Sequence, residues 1–145
     1  MANGRLSWST GFGHVVLRVA LGAVFVPHGL QKLRNPAAFA GFLSQLHVPA
    51  PTVAAWLVAL LEAAGGALLV VGLLTRLVSL GLLLDMLVAI VSVKIGLAHA
   101  PFTSGKMPGW EFELMLAAAA LTLIFTGPGN LAIDPLLHRN RQPGL

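Results

Sequence analysis

The sequence predicts an all-α integral membrane protein, a four-helix bundle with a short interfacial helix between its first and second spans. Three observations predict it. Hydrophobic residues make up 57% of the 145 and charged residues only 10%, against about 25% charged in a typical soluble domain, so little polar surface exists to keep the chain in water. The apolar residues fall in long runs, not at the spacing of a half-buried surface helix. Short Pro-, Gly- and Arg-containing breaks divide those runs into four pieces, each near the roughly 20 residues a helix needs to cross a bilayer.

The spans run over about 13–33, 52–74, 77–98 and 110–126, within one transmembrane domain over residues 1–145. The first carries Arg18 in its middle and ends at His28-Gly29-Leu30-Gln31-Lys32 without a small-x-small cleavage site, so it is expected to be retained and not removed as a signal peptide. Between the first two spans, Asn35-Pro36 is followed by Phe39, Phe42, Leu43 and Leu46 at helical spacing, then by Val48-Pro49-Ala50-Pro51. That pattern reads as an amphipathic helix lying on the membrane surface. Only Thr75-Arg76 separates the second and third spans, which makes them antiparallel neighbours. The fourth span is the shortest, roughly 25 Å at 1.5 Å per residue. It stops at Gly127-Pro128-Gly129, which cannot continue a helix.

With four spans, the N-terminus, the Thr75-Arg76 turn and the C-terminal tail share one side. That side carries Arg5, Arg76, Arg139 and Arg141 against Lys32, Arg34 and Lys106 on the other. The positive-inside rule then places both termini of this multi-pass protein in the cytoplasm. The net charge of +4 is scattered over turns and tails with no basic patch, so nucleic acid is not expected as a partner. Cysteine is absent, which removes disulfides, thiolate metal ligands and dithiol chemistry from the chain itself. No metal site, phosphate loop, His-Glu-x-x-His or nucleophile elbow appears. No motif supports haem ligation by His28 and His99.

Function is therefore sought among charges inside the spans, where each costs at least about 2.5–3.5 kcal/mol on insertion scales and usually faces the bundle interior. At 100° per residue, Arg18, Gly22, Phe25, Gly29 and Lys32 share one stripe of the first span, with His28 at its edge. Glu62 shares a face with Ala55, Ala59, Gly65, Gly66 and Leu69, small residues that let helices approach. Asp85 lies with Gly81, Ala89, Ser92, Gly96 and His99, whereas Lys94 falls on the opposite side, free to snorkel. Glu111 aligns with Met115, Ala118 and Thr122, and Glu113 points away near the interface. Depth sorts these into two tiers: Arg18, Asp85 and Glu62 at roughly 7, 12 and 18 Å from the inner boundary, and His28, Lys32, His99 and Glu111 toward the outer one. The inner tier predicts an Arg18 guanidinium between Asp85 and Glu62, with an excess acid holding a proton. The outer tier brings two imidazoles that titrate near neutrality.

Each feature also has a structural reading. Buried ion pairs serve equally to fix helix register, and both roles stand open for Arg18, Glu62 and Asp85. His14 and His47 read as interfacial and His138 as a tail residue, while Trp8, Trp56 and Trp110 sit at span ends as membrane anchors.

Arg18-x-x-x-Gly22, Phe25, His28-Gly29-x-x-Lys32, Glu62-x-x-Gly65-Gly66, Gly72-x-x-Thr75-Arg76, Gly109-Trp110-Glu111 and Gly127-Pro128-Gly129 with Asp134 follow one another from Arg18 to Asp134. In that order and spacing the chain resembles the DoxX family of small four-span membrane proteins. The resemblance implies a helical inner-membrane protein of bacterial or archaeal type. It also implies kinship with subunits linked to thiosulfate:quinone oxidoreductase and to membrane oxidoreductase complexes, though most members have no established activity. Carried over by position, it points to Arg18, His28, Lys32, Glu62 and Glu111. Two classes of function follow. One is a membrane subunit of an oxidoreductase, in which His28, Lys32 and Glu111 hydrogen-bond a quinone-like head group and oxidoreductase partner subunits supply electrons. The other is a non-enzymatic scaffold for a membrane complex, or a small permease whose Arg18, Glu62 and Asp85 relay protons or bind an anion. The bilayer is a partner in either, and the small-residue faces suit self-association into a homo-oligomer.

Overall fold

The computed structural model describes residues 3–105 and 107–139, with side chains described for 11–105 and 107–136. Lys106 and Arg141, counted above for orientation, lie outside the described residues, as do the side chains of Arg5, Trp8, His138 and Arg139. All regular structure among the described residues is helical: α1 Asn3–Arg34, α2 Pro36–Gln45, α3 Pro51–Val71, α4 Thr75–Leu97, α5 Glu111–Thr126 and α6 Ile133–Arg139.

Three helices are long and apolar enough to cross a membrane, namely Gly11–Arg34 within α1, then α3 and α4. Their outward faces carry exposed Val16, Leu57, Leu77, Leu84 and Val91, a surface that suits hydrocarbon and not water. The fourth helix, α5, has 16 residues. Its first turn lies beside Lys94 near the end of α4, and Gly127, just past its last turn, lies beside Arg76 at the start of α4. It therefore runs antiparallel along nearly the whole of α4, through the same thickness as the longer helices.

The breaks have identifiable causes. α1 ends where Asn35 caps α2, its side chain accepting from the Ala38 N–H at 3.1 Å, with Pro36 as the first residue of the new helix. α2 buries Ala40 and Leu43 against Ala55 of α3, so the amphipathic segment is a helix packed on α3. α3 ends at Gly72, whose φ of +73° is readily adopted only without a side chain. The link between α3 and α4 is thus 72–74, and Thr75 and Arg76 open α4 instead of forming the turn. The sequence reading ran three residues long because the apolar run continues through Leu73-Leu74, while glycine's left-handed backbone stops the helix first.

Two segments depart from α-geometry. Leu61–Gly65 within α3 and Ala89–Leu97 at the end of α4 are π-helical, with i→i+5 bonding that fits about one extra residue into each turn. Both rotate the residues that follow relative to an ideal 100° wheel. The core is built from Leu21 and Phe25 of α1, Leu69 of α3, Leu82 and Met86 of α4, and Ala117 and Leu123 of α5.

Candidate functional site

The closest approach of α1 and α3 creates the site. At Gly29 an added Cβ would stand 2.7 Å from the Ala63 Cα and 2.8 Å from the Ala59 carbonyl oxygen, so only glycine lets the two backbones meet here. One turn on from Gly29, Lys32 reaches across to Glu62, which is 2% exposed, and its Nζ stands 2.5 Å from Glu62 Oε2. Asp85 of α4 comes within hydrogen-bonding reach of Glu62 and within the field of Lys32. Its Oδ2 is buried without a partner among the described residues. Phe39 of α2 covers the ammonium from the other side, 4.9 Å from ring centroid to Nζ. Three helices thus bring one ammonium and two carboxyl groups into contact.

A second ion pair closes the opposite wall. Lys94 Nζ lies 3.1 Å from Glu113 Oε1 and donates to the Gly109 carbonyl at 3.0 Å. Between the two pairs lies a cavity of about 160 Å³. Its apolar walls are Val24, Phe25, Met86 and Leu116, and its polar groups are His28, Lys32, Glu62 and Glu113. His28 and Phe112 are exposed at its rim.

The predicted residues divide. Lys32, Glu62 and Asp85 come together, and His28 joins Lys32 and Glu62 around the cavity. Arg18 does not stand between Asp85 and Glu62. Its 1% exposed side chain turns to the terminal side, where Nη2 donates to the Leu131 carbonyl and Nε to the His14 carbonyl at 3.4 Å, with Asp134 as the neighbouring negative charge. A Cβ on Gly72 would fall on that guanidinium. The cause is reach: the depth scheme placed charges at their Cα levels, whereas Lys32 spans a turn of helix and takes Glu62 first. Arg18 then serves the chain's C-terminal segment, which the four-span scheme left outside the bundle.

His99 stays away from the cavity, exposed at the end of α4 with φ +47°. Glu111 is the first residue of α5, where it pins the preceding loop: Oε1 accepts from the Ser104 N–H at 2.6 Å, and Ser104 Oγ accepts from the Gly109 N–H at 3.1 Å. The edge-to-face pair of Phe102 and Trp110, centroids 4.6 Å apart, packs the same loop. Lys94 and Glu113, read from the sequence as surface residues, face each other inside. The π-helical turns of Ala89–Leu97 rotate Lys94 toward α5, which a uniform 100° wheel cannot foresee. A signal did exist, since two opposite charges at similar depth on neighbouring spans have each other as the natural partner.

The DoxX family model matches residues 13–95. A Bacillus subtilis (strain 168) protein named "Putative oxidoreductase CatD" is 33% identical over 132 residues, covering 91% of this chain and 92% of the relative. A Mycobacterium tuberculosis (strain ATCC 25618 / H37Rv) protein named "Uncharacterized membrane protein Rv3486" is 30% identical over 141 residues, covering 86% of this chain and 81% of the relative. No solved structure matches the chain.

Proposed function

This chain belongs to the DoxX family of membrane proteins, and we propose that it is the membrane subunit of an oxidoreductase system that holds a quinone-like ring in the cavity between its helices. The observation that carries this reading is the cavity's match in size and chemistry. An apolar cavity of about 150 Å³ accepts a benzene ring, and this one measures about 160 Å³ with polar groups at its edge. Lys32 and His28 are the donors for the ring's carbonyl oxygens, and Phe25, Met86 and Leu116 take its faces. A relative that carries the oxidoreductase name supports the class.

Reduction of a quinone takes up electrons and protons in equal number. The electrons come from a donor on a partner subunit, because this chain has no cysteine and no grouping of His, Asp and Glu fit for a metal among its described residues. The protons are this chain's contribution. Lys32, Glu62 and Asp85 stand together as groups that can pass protons, one after another and replenished from water, to the two reduced oxygens.

The test is quinone binding by the purified chain, followed by the ligand's absorbance or by quenching of tryptophan emission. Ala89, which lines the cavity, is changed to Leu to fill it without touching a charge. Binding lost in Ala89→Leu and in Lys32→Met, with helical content intact, is the expected result. Undiminished binding in Ala89→Leu overturns the assignment of the ring to this cavity. A second reading, a proton relay without redox chemistry, is favoured by the buried carboxyl pair alone. Proteoliposome proton flux in the absence of any donor, abolished by Glu62→Gln, would select it.

A further inference from the structure

A separate feature lies at the other end of the bundle. The first turn of α4 borders a groove of about 450 Å³ whose walls include Leu74, Thr75, Arg76, Leu77, Pro128 and Pro135. We propose that this groove binds the phosphate of an anionic phospholipid, with Arg76 as the cationic contact and the outer stripe of α4 as the track for an acyl chain.

Charge counting supports an anion. Asp134 also borders the groove, but its carboxylate is already engaged: it accepts from the Leu74 N–H at 2.8 Å and the Thr75 N–H at 3.0 Å, and it stands in the field of buried Arg18. Arg18 and Asp134 offset one another, which leaves Arg76 exposed and with no ion pair among the described residues. The groove thus holds one uncompensated positive charge. It also faces the N-terminus of a 23-residue helix, where the first-turn N–H groups beyond the two that Asp134 takes lack intrahelical acceptors and favour negative charge. A second observation points the same way. Thr75 is fully buried in the wall of the groove, and its Oγ1 has no hydrogen-bond partner among the described residues.

The surroundings select a lipid over a soluble anion. Leu77, Leu80 and Leu84 are all exposed and lie on one stripe of α4 leading away from Arg76. The groove sits where a membrane-crossing helix begins, the depth at which lipid phosphates lie. An arginine fork matches phosphate oxygens, and the stripe continues into the depth of an acyl chain.

The experiment uses the full chain in a neutral detergent, with phosphatidylglycerol, phosphatidylcholine or inorganic phosphate added. Thermal unfolding gives the stabilisation and native mass spectrometry the retained lipid. Phosphatidylglycerol is expected to raise the melting temperature and to be retained. In Arg76→Gln the half-saturating concentration should rise about five-fold, the effect of one basic residue at an anionic surface. Arg34→Gln, which alters an exposed arginine at the opposite end, should leave it unchanged. Leu77→Asn, on the exposed track, should weaken retention without removing the charge. Phosphatidylcholine equal to phosphatidylglycerol, inorganic phosphate equal to either lipid, or an Arg76→Gln chain that binds as before would each overturn the proposal.

Discussion

Lys32 and Glu62 do not contribute symmetrically, and that asymmetry can be measured. Removing one member of a buried ion pair costs about 3–5 kcal/mol, because the other charge is left uncompensated in a medium of low dielectric. In Lys32→Met, both Glu62 and Asp85 lose their ammonium. Glu62 is 2% exposed and Asp85 keeps a buried oxygen, so the full range applies and about 3 kcal/mol is the floor. In Glu62→Gln the ammonium keeps Asp85 within its field, and the Lys32 side chain, 24% exposed, still reaches Phe39 and water. That loss should be about 1.5–3 kcal/mol, the scale of one hydrogen bond to a charged group. Unfolding of both variants and the double variant in mixed micelles, at fixed lipid and pH, gives the cycle. A Glu62→Gln chain as unstable as Lys32→Met would refute the three-member cluster.

Gly29→Ala places a methyl 2.7 Å from the Ala63 Cα and should cost about 1–3 kcal/mol by overpacking, read as a lower melting temperature with unchanged helical content. Arg18→Lys replaces a fork by a single ammonium that cannot reach both the His14 and Leu131 carbonyls; hydrogen exchange should rise at 131–134 while the cavity end stays protected. Asp134→Ala removes the acceptor for the Leu74 and Thr75 N–H groups and the counter-charge of buried Arg18, and should cost at least about 1 kcal/mol, the loss of one helix cap alone, measured by thermal unfolding.

The broad architecture could be read from the sequence because hydrocarbon imposes one demand, internal satisfaction of every backbone group, and long apolar runs meet it as helices. The short helix after the first span was legible from Phe39, Phe42, Leu43 and Leu46, and the burial of Glu62 from the small residues on its face. What escaped depended on side-chain length and on helix pitch. Lys32 displaced Arg18 as the partner of Glu62 because a lysine stem covers a full turn. Lys94 came inward because the π-helical end of α4 breaks the 100° count. Glu111 shared a stripe with inward residues, yet as the first residue of α5 it met loop amides before it met the bundle interior. The tail's contribution was hidden because a heptapeptide such as α6 carries no periodic signal of its own.

The bond from Arg18 to the Leu131 carbonyl joins residues 113 positions apart, and this separation orders events during biogenesis. At ribosomal rates of about 5–20 residues per second, roughly 6–23 s pass between synthesis of the arginine and of its acceptor. Throughout that interval the nascent first helix carries Arg18 with the His14 carbonyl but without this acceptor. Synthesis of the stretch around Leu131, and not insertion of α1 alone, is therefore the step that completes the Arg18 contact.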